Sequence, residues 1–489
     1  MPTPFGAPSC PPDRAPASGA PRRVLISVPR KARDLEGHTL LAYHLRTRHG
    51  CDVAFCTPTE VDARCLEFAP DVLVLDILDA PSRVRQLRLA RQLGMKVVVH
   101  PIAGLYADDH ARVAGHRTGV AHQVDRFLVW GEDARAALLA GGSIAESQVR
   151  VVGAPRVDFY HPPLTSLAAR RSDFLAALGL TEWQAPLVVW TTSTPEFARV
   201  SESDVALRGA GEGVPLPQIR AELEEQRRQF EEHSGIVVEL ARRRPEWNLI
   251  IKVHPREPVA PYTAAFDGVT NVRIAGDAPV RDFLHHCDVL LQRGSTTATE
   301  GWLLGKPVLE LGVQGYGGAL PTDYLAGNHL VSGVDEVEAT VAGYLAGTPV
   351  PDEQRRAREA FVRRIYHKAD GRAAERCAAE IAAVLAPPHH TDADSARVRA
   401  AAAAAHTAAS VREGARLPNR IKDALGISRD TSLRVLRRST LRWLVGRRGP
   451  GHGLASQRVT SAEVERLYRA YDRGYRHSHD DVLGVPGAA

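Results

Sequence analysis

Short runs of Val, Leu and Ile alternate along the chain with longer stretches whose apolar residues recur every three or four positions. The runs at 24–28, 53–56, 72–75, 97–99, 127–130 and 149–152 are short and mostly apolar, broken only by Ser27 and Arg150. That pattern fits parallel strands covered on both faces by helices. Between them, Leu40, Leu41, Tyr43, His44 and Leu45 share one helical face, and Ala134, Ala137, Leu138 and Leu139 share another. A Pro-rich joint at 161–163 and a helical bridge to Gly179 precede a second alternation. It starts at 187–192 and runs through Asn248, Val272, Asp288 and Val308 to about Leu385. The expected fold is α/β, with two Rossmann-like βαβ domains facing a cleft and a basic helical C-terminal extension.

The segments divide as 1–21, a disordered start rich in Pro and Ala; 22–160, the first domain; 161–386, the second; 387–411, an Ala/Pro-rich linker; and 412–489, the extension. A polar insertion at 193–217 leaves the first strand of the second domain, where it reads either as a lid over the cleft or as a surface excursion. The charged helix expected at 218–244 presents a solvated face. In 412–448 eleven arginines and lysines face only Glu413, Asp423 and Asp430, with Leu433, Leu436, Leu441, Trp443 and Leu444 supplying apolar contacts. Such a stretch suits either an anionic membrane surface or a helix packed back on the body, and its near-absence of stacking aromatics argues against nucleic acid.

Composition narrows the classes. At 489 residues and 44% hydrophobic, the chain suits two cores plus extensions. It carries no apolar run of membrane-spanning length and no signal-peptide pattern, so a cytoplasmic location is expected. A net charge of +5 is too mild to call for a polyanionic partner. The six cysteines lack the spacing of a zinc or redox site and read as packed free thiols.

Candidate chemistry concentrates in two segments. In CDVLLQRGSTTATEGWLLGKPVLEL, from Cys287 to Leu311, a strand ends at Gln292, Gly294 allows a tight turn, and Ser295, Thr296 and Thr297 open a helix. The unpaired amides and dipole of a helix start favour an anion, and the hydroxyls add donors. Ser295 is equally an ordinary helix cap. Upstream, the strand at 248–253 runs into Lys252, His254, Pro255, Arg256 and Glu257. Because ligands lie beyond the carboxyl ends of parallel strands, the two segments are expected to share a phosphate site, with Arg293 adding charge.

These pieces together resemble glycosyltransferases of the GT-B architecture, and more closely the bacterial surface carbohydrate biosynthesis proteins akin to capsule polysaccharide transferases. Four segments carry the resemblance: KARDLEGHTLLAYHL, VVGAPRVDFY, LVVWTTSTPEF, and the unit from IKVHPRE to STTATEGWLLGKP, together spanning about 23–385. The family commonly has a lysine where His38 stands here, a departure on the acceptor side.

The resemblance implies a transferase that moves a sugar from a nucleotide-activated donor to a polysaccharide or lipid-linked acceptor, at the inner membrane face. No metal or other cofactor is expected to be required. It implies that Ser295, Thr296 and Thr297 hold the phosphates, His254 and Arg256 neutralise or protonate leaving oxygens, and Lys252 or Arg293 adds charge. Glu300, one turn on, would accept ribose hydroxyls or form a structural salt link. Asp34 and Glu36 are the candidates for the general base, and each reads equally as a first-turn helix acid. Arg156 and Asp158 fall at the interdomain joint, where they would close the cleft, touch the donor or form an ion pair. The alternatives are a nucleotide-sugar epimerase of the same fold and a non-catalytic polysaccharide-assembly protein.

Overall fold

The computed structural model of the protein describes residues 21–101 (80 excepted), 113, 119–180, 186–192, 216–254, 257–276, 279–312, 322–385 and 458–483. The expectations placed on 1–20, the insertion at 193–215, Arg256, the linker at 387–411 and the basic stretch at 412–448 lie outside the described residues.

The first sheet is built from β1 (Arg23–Ser27), β2 (Asp52–Cys56), β3 (Val72–Leu75), β4 (Lys96–Val99), β5 (Arg126–Val129) and β6 (Val149–Val151). All pairs are parallel, in the order β2-β1-β3-β4-β5-β6. The central β3 is buried at every position, as its uniform apolar run requires, whereas edge strand β2 is mostly part-exposed. Helices α1 (Lys31–His49), α2 (Val61–Phe68), α3 (Pro81–Gln92) and α4 (Glu132–Ala140) make the crossovers. The helical bridge is the short α5 (Arg171–Ala177).

The second sheet has the order β12-β11-β10-β7-β8-β9, again all parallel. Its strands are β7 (Leu187–Thr191), β8 (Asn248–Lys252), β9 (Val272–Ala275), β10 (Val289–Gln292), β11 (Val308–Leu311) and β12 (His329–Val331). Its helices are α6 (Leu216–Arg243), α7 (Ala260–Ala265), α8 (Val280–His286), α9 (Thr297–Leu303), α10 (Thr322–Ala326), α11 (Val334–Leu345) and α12 (Asp352–Tyr366). The chain order reverses direction between β7 and β10. That switch point is where an open parallel sheet parts its loops and leaves a crevice.

Two further helices, α13 (Ala373–Leu385) and α14 (Ser461–Leu483), return to the first domain. Ala374, Cys377, Ala378 and Ile381 of α13 and Tyr468 and Tyr471 of α14 join Leu40, Leu41 and Leu45 of α1 in one buried cluster. The segment 161–386, expected to belong wholly to the second domain, therefore gives its last helix to the first. The physical reason is that α1 exposes a broad apolar face that its own sheet does not cover. Asp158 fixes the crossing by accepting the amides of Ala373 and Ala374 at 3.0 and 2.8 Å, an N-cap supplied from another element. The five described cysteines are buried free thiols. Among the described residues no helix is long and apolar enough to cross a membrane.

Candidate active site at the interdomain cleft

The second-domain wall forms at the switch point. β7 ends on Thr191 and β10 on Gln292, and the hydroxyls of Thr191 and Thr297 share a hydrogen bond of 2.8 Å across it. Gly294 adopts a left-handed φ of 53°, which turns the chain sharply enough to start α9. The turn is braced from within. The Gly294 amide donates to Glu310 at 2.7 Å, the Ser295 amide to the side-chain oxygen of Gln292 at 2.9 Å, and the Thr297 amide to the Ser295 hydroxyl at 3.3 Å. Two of the helix-start amides read from sequence as anion donors, those of Ser295 and Thr297, are thus engaged inside the turn.

The cationic candidates distribute unevenly. Lys252 is buried, with its ammonium on the carbonyls of Val253 (3.0 Å) and Gly276 (2.5 Å). Arg293 is also buried and donates to the carbonyls of Leu311 and Gly312. Both fasten strand ends. His254 is partly exposed, and its amide donates to the Thr192 hydroxyl at 2.9 Å.

Arg156 and Glu300 meet. Arg156, from the 3-10 segment Pro155–Tyr160 of the first domain, forms an ion pair with Glu300 of α9 and donates to the Thr296 hydroxyl at 3.1 Å. The Tyr160 hydroxyl donates to the second Glu300 oxygen at 2.6 Å. Burial, reinforced by Glu300, holds the Tyr160 phenol well above its ordinary pKa, so it remains a donor. The interdomain salt link and the Glu300 salt link expected separately are one contact. Asp158 lies away from it, at the start of α13.

The first-domain wall is α1 and the end of β4. Here Arg33, Asp34, Gly37, His38, His100, Pro101, Trp130, Ala154, Pro155 and Arg156 line a small recess. A Cβ on Gly37 would lie 3.1 Å from the Arg156 amide nitrogen, so glycine lets α1 approach the joint. Asp34 is buried, accepts the Arg30 amide at 3.1 Å and pairs with Arg33 at 2.6 Å. It is a first-turn acid of α1 with its oxygens engaged, the second of the two readings open in the sequence. Glu36 lies outside the pocket lining and pairs with Arg281 of α8 at 3.2 Å, a second interdomain link.

The sequence reading missed His100, Trp130, Tyr160 and Arg281. One signal was available for His100: it precedes Pro101 after an apolar strand, the same pairing that drew attention to His254. The partners of Arg281 and Tyr160 lie far away in sequence, so no local pattern marks them.

No family model matches the chain, and no curated protein matches it by sequence. Solved structures do match in fold. The UDP-GlcNAc 2-epimerase of Neisseria meningitidis bound to UDP-GlcNAc superposes with a TM-score of 0.50 at 15% identity, covering 74% of this chain and 99% of that one. Another UDP-N-acetylglucosamine 2-epimerase gives 0.50 at 14% identity, over 76% and 99%. A glycosyltransferase from Rickettsia africae gives 0.44 at 9% identity, over 75% and 100%. The fold is that of the GT-B type, two parallel-sheet Rossmann-like domains with helices on both faces.

Proposed function

We propose that the chain is a glycosyltransferase that uses a nucleotide-activated sugar and acts on a polysaccharide or lipid-linked acceptor. The observation that carries this is the Arg156, Thr296, Glu300 and Tyr160 cluster, which joins the second sheet's switch point to the first-domain pocket. A ribose diol would offer Glu300 two O–H donors where Arg156 and Tyr160 stand. A diphosphate would offer acceptors to Arg156 and to the hydroxyls of Ser295, Thr296 and Thr297, with His254 at the neighbouring strand end. The proposal invokes no metal.

In the transfer, the acceptor oxygen bonds to the anomeric carbon as the carbon–phosphate oxygen bond breaks and the nucleotide leaves. The acceptor proton needs a base, and His38 supplies one in place of Asp34 and Glu36. Its Nδ1 lies 2.8 Å from the Asp34 carbonyl oxygen, which can only accept. Nδ1 therefore carries the hydrogen in the neutral ring and Nε2 keeps its lone pair. The basic stretch at 412–448 would bring the enzyme to anionic lipid on the cytoplasmic side, where a lipid-linked acceptor resides.

One observation favours an epimerase instead: two imidazoles, His38 and His100, stand edge to face 5.8 Å apart on one wall, the pairing that acid and base roles on one ligand require. Incubating the protein with UDP-N-acetylglucosamine and UDP-glucose separates the readings. Acceptor-dependent release of UDP supports transfer, and an altered sugar stereochemistry without acceptor supports epimerisation. Binding without turnover in either format supports the assembly role.

A further inference from the structure

Helix α14 joins the body through aromatic rings that carry hydroxyls. Tyr43 of α1 stacks on Tyr475 with ring centroids 5.8 Å apart, meets Tyr471 edge to face at 5.7 Å and donates to Asp472 at 2.7 Å. The Tyr475 hydroxyl lies 3.2 Å from His44 Nε2, and the Arg46 guanidinium carbon stands 4.7 Å from the Tyr468 ring centroid. At the rim, Lys31 pairs with Glu463 at 2.6 Å and donates to the Arg458 carbonyl at 2.9 Å. The core cluster on the opposite face of the first sheet has no tyrosine among the described residues. A tyrosine-rich seam with an ionic rim has the make-up of a docking interface rather than of a domain core, since a phenol hydroxyl meets a polar partner when docked and water when not.

This seam reaches the contact between the two domains. Tyr471 is fully buried, donates to the Glu36 carbonyl oxygen at 3.1 Å and packs on the Phe159 ring at 5.9 Å. The same two residues meet Arg281 of the second domain. Its guanidinium pairs with the Glu36 carboxylate at 3.2 Å and lies 5.2 Å from the Phe159 ring centroid. Gly474 faces Leu167, just past the Pro-rich joint, and a Cβ there would sit 3.5 Å from the Leu167 side chain. Tyr471 and Arg281 thus hold the same two residues, one from the C-terminal helix and one from the second domain.

We infer that α14 is an intramolecular docking clamp that sets the contact between the two domains. Seated, it holds Glu36 and Phe159 in place for Arg281; lifted, it releases them and loosens that side of the cleft. Coupling of this kind is reciprocal, so the grip of Arg281 also holds α14 down. It operates whatever ligand the cleft takes.

The test is hydrogen exchange of the full chain, followed by mass spectrometry over α14, over α8 and over the buried strand β4 as a reference. Tyr471→Ala and Gly474→Leu should speed exchange in α14, and in α8 by about tenfold or more, with β4 unchanged. Gly474→Ala, whose Cβ makes only an ordinary contact, should leave α8 at its native rate. From the other side, Arg281→Met should speed exchange in α14. An α14 that loosens while α8 keeps its native exchange would make the helix a local cover and overturn the inference. Native exchange of α14 in Arg281→Met would overturn it too, and so would equal acceleration in β4, which marks global unfolding in place of coupling.

Discussion

The two walls of the cleft are built from similar sequence pieces and come out differently. Each has a His-Pro pair after an apolar strand, His100-Pro101 following β4 and His254-Pro255 following β8. On the second wall, the turn from Gln292 to Thr297 is bound to itself and to Glu310, and Lys252 and Arg293 fasten strand ends. On the first wall, the His100 ring nitrogens have no protein partner and the His38 ring is set by a single carbonyl. The second wall therefore satisfies its polar groups within itself, whereas the first keeps a buried imidazole with no protein partner among the described residues.

The strongest way to break this contrast is to cut the bolt between the walls. Glu300→Ala leaves the part-buried Arg156 without its counter-charge and should cost about 3 kcal/mol in denaturant unfolding. Removing both partners, as Arg156→Met with Glu300→Leu, should recover much of that. A double mutant no more stable than Glu300→Ala would show that the pair is not what holds the walls together.

Next in size is the domain junction. A Cβ on Gly131 would sit 2.1 Å from the Arg364 carbonyl oxygen of α12. Gly131→Ala should destabilise by about 1 to 3 kcal/mol, the range for overpacking, and a native-like unfolding midpoint would mean that the junction yields freely.

Asp158 gives a pH signature distinct from both walls. Burial pushes its carboxyl up to about 7, against the two amides of α13 that favour the charged form. A folded pKa above the unfolded value means that the native state binds the proton more tightly. The stability it contributes is then present at low pH and lost as pH rises from about 4 through 7, at up to about 1.4 kcal/mol per unit. The native protein should lose stability over pH 5 to 7 more steeply than Asp158→Asn, and equal slopes would discount the buried acid.

Smallest is Ser295→Ala. It removes the acceptor used by the Thr297 amide and hydroxyl and should cost about 0.5 to 1.5 kcal/mol in unfolding. Weaker UDP binding in the same variant would assign the hydroxyl to phosphate as well as to the turn, whereas unchanged binding would leave it a bracing role only.

Much of the framework was legible without coordinates. Strands buried on both faces announce themselves as unbroken apolar runs, and β1 to β6 were located to within about one residue. β12 was missed because it is three residues long, carries His329 and has only Val331 buried, so no apolar run marks it. The acid candidates were legible as acids but not as to role. Asp34 and Glu36 differ by two positions on α1, and this separation turns one toward the helix start and Arg33, the other toward Arg281.

The sequence by itself determined the two parallel sheets, the helices between them, the turn at Gly294 and the residue types at the strand ends, because period, burial and turn chemistry are properties of neighbours in the chain. Only the tertiary structure decided that Arg156 meets Glu300, that Asp158 caps α13, that α13 and α14 close over α1, and that His100 faces a pocket. Each of these pairs groups far apart in sequence. An apolar face or a charge states that it needs a partner, but the topology and packing of the whole chain choose which one.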